Sequence, residues 1–253
     1  MNRLAILEDN LEFSRKLLNY IISRNKKIRL SSLAVKGEEI MDVIDELDED
    51  DILLLDLGLP EIDGLDVIDR LKDKKERIPK IIVMSGDMNL LERLKNYISY
   101  IYTAIAKPFS FQRIGDVIDQ ITYESEQKCY EKLIKEELYK FEMNVTTVGY
   151  AYIVDAIAFS LENEAMLKDM QNVLYKNISI KYNNISTTNI KWTIEKCVKS
   201  TKRYTSSSII KEYFHVEARE KLTPKLFIST VVENLKKKLD TQSGVKRKET
   251  CYF

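Results

Sequence analysis

The sequence predicts an α/β plus all-α protein: a doubly wound (βα)5 domain followed by a helical domain that contains a helix-turn-helix. Short apolar runs alternate with amphipathic helical patterns in the first half, and this alternation is typical of a parallel sheet with helices on both faces. Polar residues stand at the C-terminal ends of several of these runs. After residue 122 the strand patterns stop and helical periodicity replaces them.

The first half gives five βα units in order. Strands are predicted for the runs RLAILED, ILLLD, KIIVMS and YTAIAKP, and for residues 28–35 between the first two of these. Asn10 is the expected N-cap of the first helix, LEFSRKLLNYIIS, because a side-chain oxygen at that position accepts a free backbone N–H. The remaining helices are predicted over 38–47, 65–74, 88–97 and 110–122. Right-handed connections between the strands are expected in such a sheet.

Five side chains follow the ends of the predicted strands: Glu8, Asp9, Asp56, Ser85 and Lys107. Because ligands of open α/β sheets bind beyond the carboxyl ends of the strands, these side chains should share one pocket. Carboxylates suit Mg²⁺, a carboxylate can accept a phosphoryl group as a nucleophile, and a lysine neutralises phosphoryl oxygens. For any one acid alone, the alternative is an ordinary helix-terminal or loop-edge carboxylate. The set of five favours a phosphoryl-accepting site.

Residues 1–122 resemble the receiver domain of two-component response regulators. The most specific part of the resemblance is the run DLGLPEIDG, which begins at Asp56 and ends at Gly64. The resemblance implies that Asp56 is the phosphoacceptor, that a histidine kinase or phosphotransfer protein supplies the phosphoryl group, and that Ser85 is the switch hydroxyl. It also implies that Lys107 precedes a cis proline. A site for Mg²⁺, or for another divalent cation such as Ca²⁺, is implied at Glu8, Asp9, Asp56 and the carbonyl oxygen of Gly58.

One position departs from the receiver pattern. The family usually carries Tyr or Phe three residues before the lysine, and this sequence has Ala104 there. The nearby Tyr100 and Tyr102 are out of register with that position. The aromatic ring that usually rotates in response to the switch hydroxyl is therefore missing at this position.

Composition argues against several classes of protein. A chain of 253 residues accommodates two ordinary domains, and 44% hydrophobic residues is normal for a globular protein. No apolar run approaches the roughly 18 residues that a membrane helix needs, and the N-terminus lacks a signal-peptide core. The three cysteines lack metal-ligand spacing and indicate reduced thiols in a cytoplasmic protein. With one histidine, His215, and no catalytic cluster in the second half, we expect a protein that is not an enzyme and has no membrane partner.

Charge is distributed unequally, although the formal net charge is zero. Residues 1–122 hold 23 acids and 18 bases, a net of −5, whereas residues 123–253 hold 17 acids and 22 bases, a net of +5. Within 168–203 there are eight bases and two acids. An acidic first half and a basic second half suggest different partners for the two halves, and chance distribution of surface charge is the alternative.

The expected domain organisation is a receiver domain over 1–122, a helical linker over 123–142, an effector domain over 143–240 and a flexible tail over 241–253. An apolar stripe at helical spacing marks the linker: Tyr130, Leu133, Ile134, Leu138 and Phe141. Either a dimer seam or packing against a domain accounts for the stripe. It is too short to indicate a coiled coil, which needs about three or four heptads.

Helices of the effector domain are predicted over 149–162, 164–170 and 170–183. The last of these has an apolar face of Val173, Leu174, Ile178 and Ile180. The cluster Ser186-Thr187-Thr188 is the expected N-cap of a basic helix, NIKWTIEKCVKSTKRY. Its predicted buried side is Ile190, Ile194, Cys197 and Val198. Two helices joined by a short polar turn are typical of a helix-turn-helix, and a solvated basic helix in an all-α regulatory domain is the alternative.

The second half also resembles the effector domain of the stage-zero sporulation master regulator of endospore-forming bacteria. The resemblance covers about residues 145–240 and rests on the runs VGYAYIVDAI, LYKNISIKYN and LTPKLFISTVVENL. It implies a helix-turn-helix that binds DNA as a homodimer formed on phosphorylation, in sporulation or a related developmental programme. The residues then expected to contact DNA are Thr187, Thr188, Asn189, Lys191, Trp192, Glu195, Lys196 and Lys199.

The polar face of the basic helix departs from the family pattern. Where the family carries a Glu-Arg pair and then an Arg-His pair, this sequence carries Lys191-Trp192 and Glu195-Lys196. Because an Arg–guanine contact contributes about 1–3 kcal/mol of base discrimination, we expect different DNA sites or weaker specificity. The alternative is a divergent paralogue that has lost sequence-specific DNA binding and antagonises a related regulator by forming a heterodimer with it. Trp192 either contacts a thymine methyl or a sugar, or packs against a neighbouring helix.

Overall fold

The structure is a computed structural model that describes residues 2–34, 37–60, 62–74, 77–87, 89–215 and 222–249. The chain divides into two compact units, Met1–Glu126 and Gln127–Phe253, here called the N-terminal and C-terminal units. None of the helices in these described ranges combines the length and the apolar character needed to cross a membrane.

The N-terminal unit is built on a five-stranded parallel sheet with the strand order β2-β1-β3-β4-β5. Its strands are β1 (Asn2–Leu7), β2 (Ile28–Ala34), β3 (Ile52–Asp56), β4 (Lys80–Ser85) and β5 (Thr103–Ala106). Every residue of β3 is buried, which explains why this strand reads as a continuous apolar run. Separate apolar cores cover the two faces of the sheet, and the predicted doubly wound fold is confirmed.

Helices connect these strands: α1 (Leu11–Arg24), α2 (Gly37–Glu46), α3 (Gly64–Lys72) and α4 (Leu90–Arg93). Asn10 caps α1 as predicted, because its side-chain oxygen accepts the N–H of Phe13 at 3.0 Å. The helix predicted over 88–97 is much shorter, and α4 is followed by turns. In these turns the Tyr97 hydroxyl donates to Asp69 on α3 at 2.9 Å. This hydrogen bond ties the backbone after α4 to α3 in a conformation that is not helical.

The last helix of the sheet domain, α5 (Phe111–Tyr139), continues without a break into the segment expected to be a linker. Its first part contributes Ile114, Ile118 and Ile121 to the core of the N-terminal unit. Its last part contributes Ile134 and Leu138 to the core of the C-terminal unit. The charged stretch between these two groups is rich in Glu, Lys and Gln, which have high helix propensity, and so the helix does not end there.

The C-terminal unit is helical throughout its described residues. After α5 come α6 (Val148–Glu162), α7 (Tyr175–Lys181), α8 (Thr187–Tyr204), α9 (Ser207–Phe214) and α10 (Pro224–Glu249). Between α6 and α7 lie a 3₁₀ turn at Glu164–Leu167 and a π turn at Met170–Leu174. The helices enclose one apolar core.

The buried side of α7 differs from the prediction. Leu174 and Ile178 are buried as expected, but Val173 and Ile180 are exposed. Tyr175 fills the core in their place. Apolar residues occur on both sides of this short helix, and the π turn before it changes the phase of the periodicity from which the buried side was inferred.

The predicted flexible tail over 241–253 is partly helical, because α10 extends to Glu249. Lys and Glu, which favour helices, dominate the end of this segment. The side chains of its basic run and residues 250–253, including Cys251, lie outside the described residues.

Candidate functional site

The carboxyl edge of the sheet gathers the side chains that the sequence singles out. Carboxylate oxygens of Glu8, Asp9 and Asp56 all lie within 4.8 Å of one another. Glu8 and Asp56 are buried, whereas Asp9 is exposed. Three hard oxygen ligands at this separation, one of them open to solvent, suit a divalent cation that retains several waters. The acidic pocket is defined here as these three residues together with Ser85 and Lys107.

Lys107 connects two of the carboxylates. Its Nζ lies 2.6 Å from Glu8 Oε2 and 2.8 Å from Asp56 Oδ2. Burial alone would lower the pKa of Lys107, but the hydrogen bonds to Asp56 and Glu8 outweigh it and raise the pKa. Burial raises the pKa of Glu8, and the hydrogen bond from Lys107 opposes that rise. The Lys107–Pro108 peptide bond is cis.

The loop after β3 supports Asp56 through its backbone. The Gly58 N–H donates to Asp56 Oδ1 at 3.1 Å, so both carboxylate oxygens accept a hydrogen bond. Gly64 lies against the same strand end, where an added Cβ would be only 2.7 Å from the Asp56 carbonyl oxygen and from Leu57 Cα. A side chain at this position would therefore displace the loop after β3 that supports Asp56.

Ser85 ends β4, next to the strand that carries Asp56. Its hydroxyl is buried and accepts the N–H of Asp87 at 3.1 Å. Asp87 also lies 3.3 Å from the guanidinium of Arg93, which makes a second ion pair with Asp63 at 2.6 Å. A chain of polar contacts thus joins the loop after Ser85 to the N-cap of α3.

No aromatic ring occupies the position expected to couple to Ser85. Ala104 lies on β5 opposite Val83 and packs at the edge of one core. Tyr102 is engaged elsewhere, because its hydroxyl donates to Glu124 at 3.0 Å. The ring-rotation device of the receiver pattern therefore has no counterpart at position 104.

Helix α8 is held on the C-terminal unit by its apolar side. Ile190, Ile194 and Val198 are fully buried, as predicted, and Cys197 is half-buried. Close packing against α6 depends on Gly149, where an added Cβ would lie 2.9 Å from the Cβ of Cys197. The same Cβ would lie 3.1 Å from the carbonyl oxygen of Thr193, a backbone atom that side-chain motion cannot move away.

The opposite side of α8 is open to solvent. Its exposed side chains are Thr188, Asn189, Lys191, Trp192, Lys196 and Lys199. Trp192 is 61% exposed, which contradicts packing against a neighbouring helix, and the Nζ of Lys196 lies 5.2 Å from the centre of its ring system. We call this surface the outer face of α8.

Two of the eight residues expected to contact DNA are not fully on the outer face. Thr187 is half-buried, and its hydroxyl accepts a hydrogen bond from the Gln171 amide at 3.1 Å. Glu195 is also half-buried; burial, together with the nearby Glu195 carboxylate, raises the pKa of Tyr175 to about 12. These two side chains face α7 and the turn before it.

Sequence reasoning missed the polar residues that support these sites, notably Arg93 and Gln171. Each acts through a partner distant in sequence, Asp63 and Thr187 respectively. Neither belongs to a motif. A charged residue soon after the switch-hydroxyl loop was the only available signal for Arg93, and it does not specify a partner.

Comparison with protein families assigns both units. The family described as the response regulator receiver domain matches residues 4–119. The family described as the sporulation initiation factor Spo0A C-terminal domain matches residues 134–235. The chain is therefore a response regulator. More particularly, it joins a receiver domain to a Spo0A-type DNA-binding domain.

Solved structures of response regulators are also similar to this chain. Full-length FixJ from B. japonicum is 14% identical, with a TM-score of 0.43, over 92% of this chain and 97% of that one. TrrA from Thermotoga maritima, in complex with Mg²⁺ and BeF, is 21% identical with a TM-score of 0.39. That match covers 48% of this chain and 99% of TrrA. The receiver domain of MrkE from Klebsiella pneumoniae is 18% identical with a TM-score of 0.43, over 49% and 98% of the two chains.

Proposed function

We propose that this response regulator is a cytoplasmic transcription factor whose DNA binding is switched by Mg²⁺-dependent phosphorylation of Asp56. The observation that carries the proposal is the acidic pocket, where Asp56 accepts hydrogen bonds on both carboxylate oxygens and lies beside two further carboxylates. The Spo0A-type domain supports a role in sporulation or a related developmental programme. The phosphoryl donor is a histidine kinase or a phosphotransfer protein, and the chain turns over no separate substrate.

Glu8, Asp9, Asp56 and the carbonyl oxygen of Gly58 would hold the divalent cation. The proximity of the three carboxylates supports this assignment, since their mutual repulsion falls when a cation lies between them. Bound Mg²⁺ supplies positive charge that stabilises the oxygens of the transferring phosphoryl group. Ca²⁺ would use the same oxygen ligands.

The residues of the pocket have distinct roles in the transfer. A carboxylate oxygen of Asp56 attacks phosphorus as the donor's phosphorus–nitrogen bond breaks, and the histidine nitrogen leaves with the electron pair of that bond. Lys107 remains a cation because its pKa is raised, and it neutralises charge on the phosphoryl oxygens. The Ser85 hydroxyl then donates a hydrogen bond to the phosphoryl group on Asp56.

Phosphorylation is proposed to pair two copies of the chain on DNA, with α8 of each copy in a major groove. Exposed residues of α8 contact the duplex, with Lys191 and Lys199 placed for phosphates. Thr188, Asn189, Trp192 and Lys196 also lie on the outer face, whereas Thr187 and Glu195 are half-buried beside it. These two are expected to orient the helix or reach the duplex at its margin.

The test is selection of binding sites from a random duplex pool by the full-length protein with acetyl phosphate and Mg²⁺. Asp56→Asn serves as the control, because it keeps the shape of the side chain but cannot form the acyl phosphate. We expect a mass increase of one phosphoryl group and an enriched motif for the wild type only. Equal enrichment by Asp56→Asn would contradict control by phosphorylation.

A second function is favoured by the exposure of Trp192, because exposed tryptophans are enriched at protein–protein hot spots. In this alternative the phosphorylated chain pairs with a related regulator and blocks it without reading DNA. Confirmed phosphorylation with no enriched motif, together with a stable heterodimer on size-exclusion chromatography, would favour this alternative over the first.

A further inference from the structure

The outer face of α8 displays one large apolar side chain, Trp192, which is 61% exposed. The core of the C-terminal unit does not need it, because Ile190, Ile194 and Val198 attach the helix from the opposite side. An indole left in water on an otherwise polar surface gains its apolar burial only when a partner covers it.

The surroundings of Trp192 are cationic and polar. Lys196 lies one turn further along, with its Nζ 5.2 Å from the centre of the indole, a cation–π distance that restricts the ring. Lys191 precedes it and forms no ion pair within the described ranges. Asn189 lies three residues earlier and is also exposed. This arrangement of a charged rim around an apolar centre matches a phosphate-flanked groove.

The hydrogen-bonding groups of the DNA bases indicate which bases the exposed side chains of α8 can recognise. Guanine is read by arginine or lysine side chains that donate to O6 and N7. From Thr187 to Lys199, α8 carries no arginine; Lys191 and Lys199 are assigned to phosphates, and Lys196 lies over the indole of Trp192. The indole has a single donor and a broad apolar surface, which suits the C5-methyl group of thymine. The carboxamide of Asn189 suits the N6 and N7 atoms of adenine.

The spacing of these two residues fits neighbouring base pairs. Asn189 and Trp192 are three positions apart on one side of the helix. Three residues advance about 4.5 Å along an α-helix, close to the roughly 3.4 Å between successive base pairs. We infer that α8 reads an A·T step in the major groove, with Asn189 on adenine and Trp192 against the methyl group of an adjacent thymine. This inference rests on the proposed DNA-binding function and makes Trp192 its specificity-determining residue.

The experiment replaces thymine by deoxyuridine, which removes only the C5-methyl group. Duplexes of the selected site are made with one replacement at each thymine in turn and titrated with the phosphorylated full-length protein. Loss of one buried methyl group should weaken binding about fourfold at one thymine per half-site. Trp192 is the only tryptophan of the chain, so a change in its fluorescence on titration reports contact directly.

Two variants make the assignment specific. Trp192→Ala should bind thymine and deoxyuridine duplexes equally, while its phosphorylation is unchanged. Ile180→Ala is the matched control, because Ile180 is an equally exposed apolar residue on α7, outside the outer face of α8. This control should retain the full preference for thymine, and circular dichroism should show both variants folded.

The outcomes separate the inference from the proposed function. A selected motif with guanine at the core, or equal affinity of the wild type for thymine and deoxyuridine throughout, would overturn the reading by Trp192 and leave DNA binding intact. If the phosphorylated protein selects no motif at all, the DNA-binding function fails together with the inference. A preference for thymine that survives Trp192→Ala would assign the contact to another residue.

Discussion

The acidic pocket and the outer face of α8 are built in opposite ways. In the pocket, Lys107 bonds both Glu8 and Asp56, and these two carboxylates are buried at the edge of the sheet. On the outer face of α8 the polar side chains are exposed, and the Nζ of Lys196 lies 5.2 Å from the centre of the Trp192 ring system. The pocket is a network, whereas the outer face is a set of nearly independent side chains.

This difference affects how each site can change. Removing one partner from a buried charge network leaves an uncompensated charge and costs about 3–5 kcal/mol, so substitutions in the pocket are coupled to folding. A substitution on an exposed helix surface usually changes stability by less than about 0.5 kcal/mol. The outer face of α8 can therefore depart from the family pattern while the helix beneath it keeps its buried side.

The largest expected effect comes from breaking the backbone support of the pocket. In Gly64→Ala the new Cβ would clash with the backbone of Asp56 and Leu57 and displace the loop that supports Asp56, the proposed nucleophile. Because misplacement by about 1 Å costs on the order of 100-fold in rate, we expect phosphorylation by acetyl phosphate to slow by about that factor. Intact-mass kinetics measure the change.

Gly86→Ala is the control for this substitution. A Cβ at Gly86 would meet nothing within 4 Å, although Gly86 is adjacent to Ser85. Its phosphorylation rate should stay close to that of the wild type. Equal rates for Gly64→Ala and the wild type would show that the pocket tolerates backbone movement. The pocket would then be no more tightly coupled than the outer face of α8.

The second expected effect tests the buried support of α8. Gly149→Ala places a methyl group against Cys197 and the Thr193 carbonyl oxygen, and the overpacking should lower the free energy of unfolding of the C-terminal unit by about 1–3 kcal/mol. Hydrogen exchange of the α8 amides measures this loss of stability within the C-terminal unit.

Gly115→Ala provides the matched helical comparison, because the nearest atoms to its added Cβ would be side-chain atoms of Arg24 and Tyr20, at 3.0–3.1 Å, and none of them is a backbone atom. That variant should be destabilised less than Gly149→Ala, since side chains can move away and alanine favours a helix over glycine. Unchanged exchange at α8 in Gly149→Ala would mean that the helix is held less tightly than its buried residues indicate.

The smallest of the three effects concerns a buried carboxylate in the C-terminal unit. Burial would raise the pKa of Glu137, but hydrogen bonds from Lys140, Lys238 and Tyr213 outweigh it and lower the pKa. A lowered pKa in the folded state contributes stability above the unfolded value near 4.5, and this contribution is lost as the pH falls through the folded value.

Glu137→Gln should therefore lower the free energy of unfolding by about 1–2 kcal/mol at neutral pH and flatten its decline in acid. Urea unfolding at a series of pH values measures both changes. Glu131→Gln is the control, because its exposed pair with Lys135 should contribute little. If the free energy of unfolding falls as steeply in acid for Glu137→Gln as for the wild type, Glu137 is not the cause of that decline.

Much of the fold follows from the sequence because its signals are local. The strands are continuous apolar runs, and Asn10 caps α1 as its position indicates. The exposure of Val173 and Ile180 could not be predicted, because a π turn alters the helical phase and apolar residues occur on both sides of α7. The helix predicted over 110–122 and the predicted helical linker form one continuous helix, α5, because the charged residues between them favour helix.

The candidate sites were predictable to different extents. Strand ends placed Glu8, Asp56 and Lys107 together, since parallel topology brings those ends to one edge. Contacts such as Arg93 with Asp63 depend on side-chain geometry between segments 30 residues apart, which no periodicity encodes. For α8, the helical period gave the exposed side, but the half-burial of Glu195 depends on the position of α7.

The exposure of the outer face of α8 has a consequence for gene duplication. Two copies of such a gene could diverge at Asn189 and Trp192 alone and still fold alike. Both products would keep the same acidic pocket and accept phosphoryl groups from the same donor, yet each would occupy its own promoters. A single upstream signal could in this way acquire a second regulon through one or two codon changes, without the evolution of a new kinase.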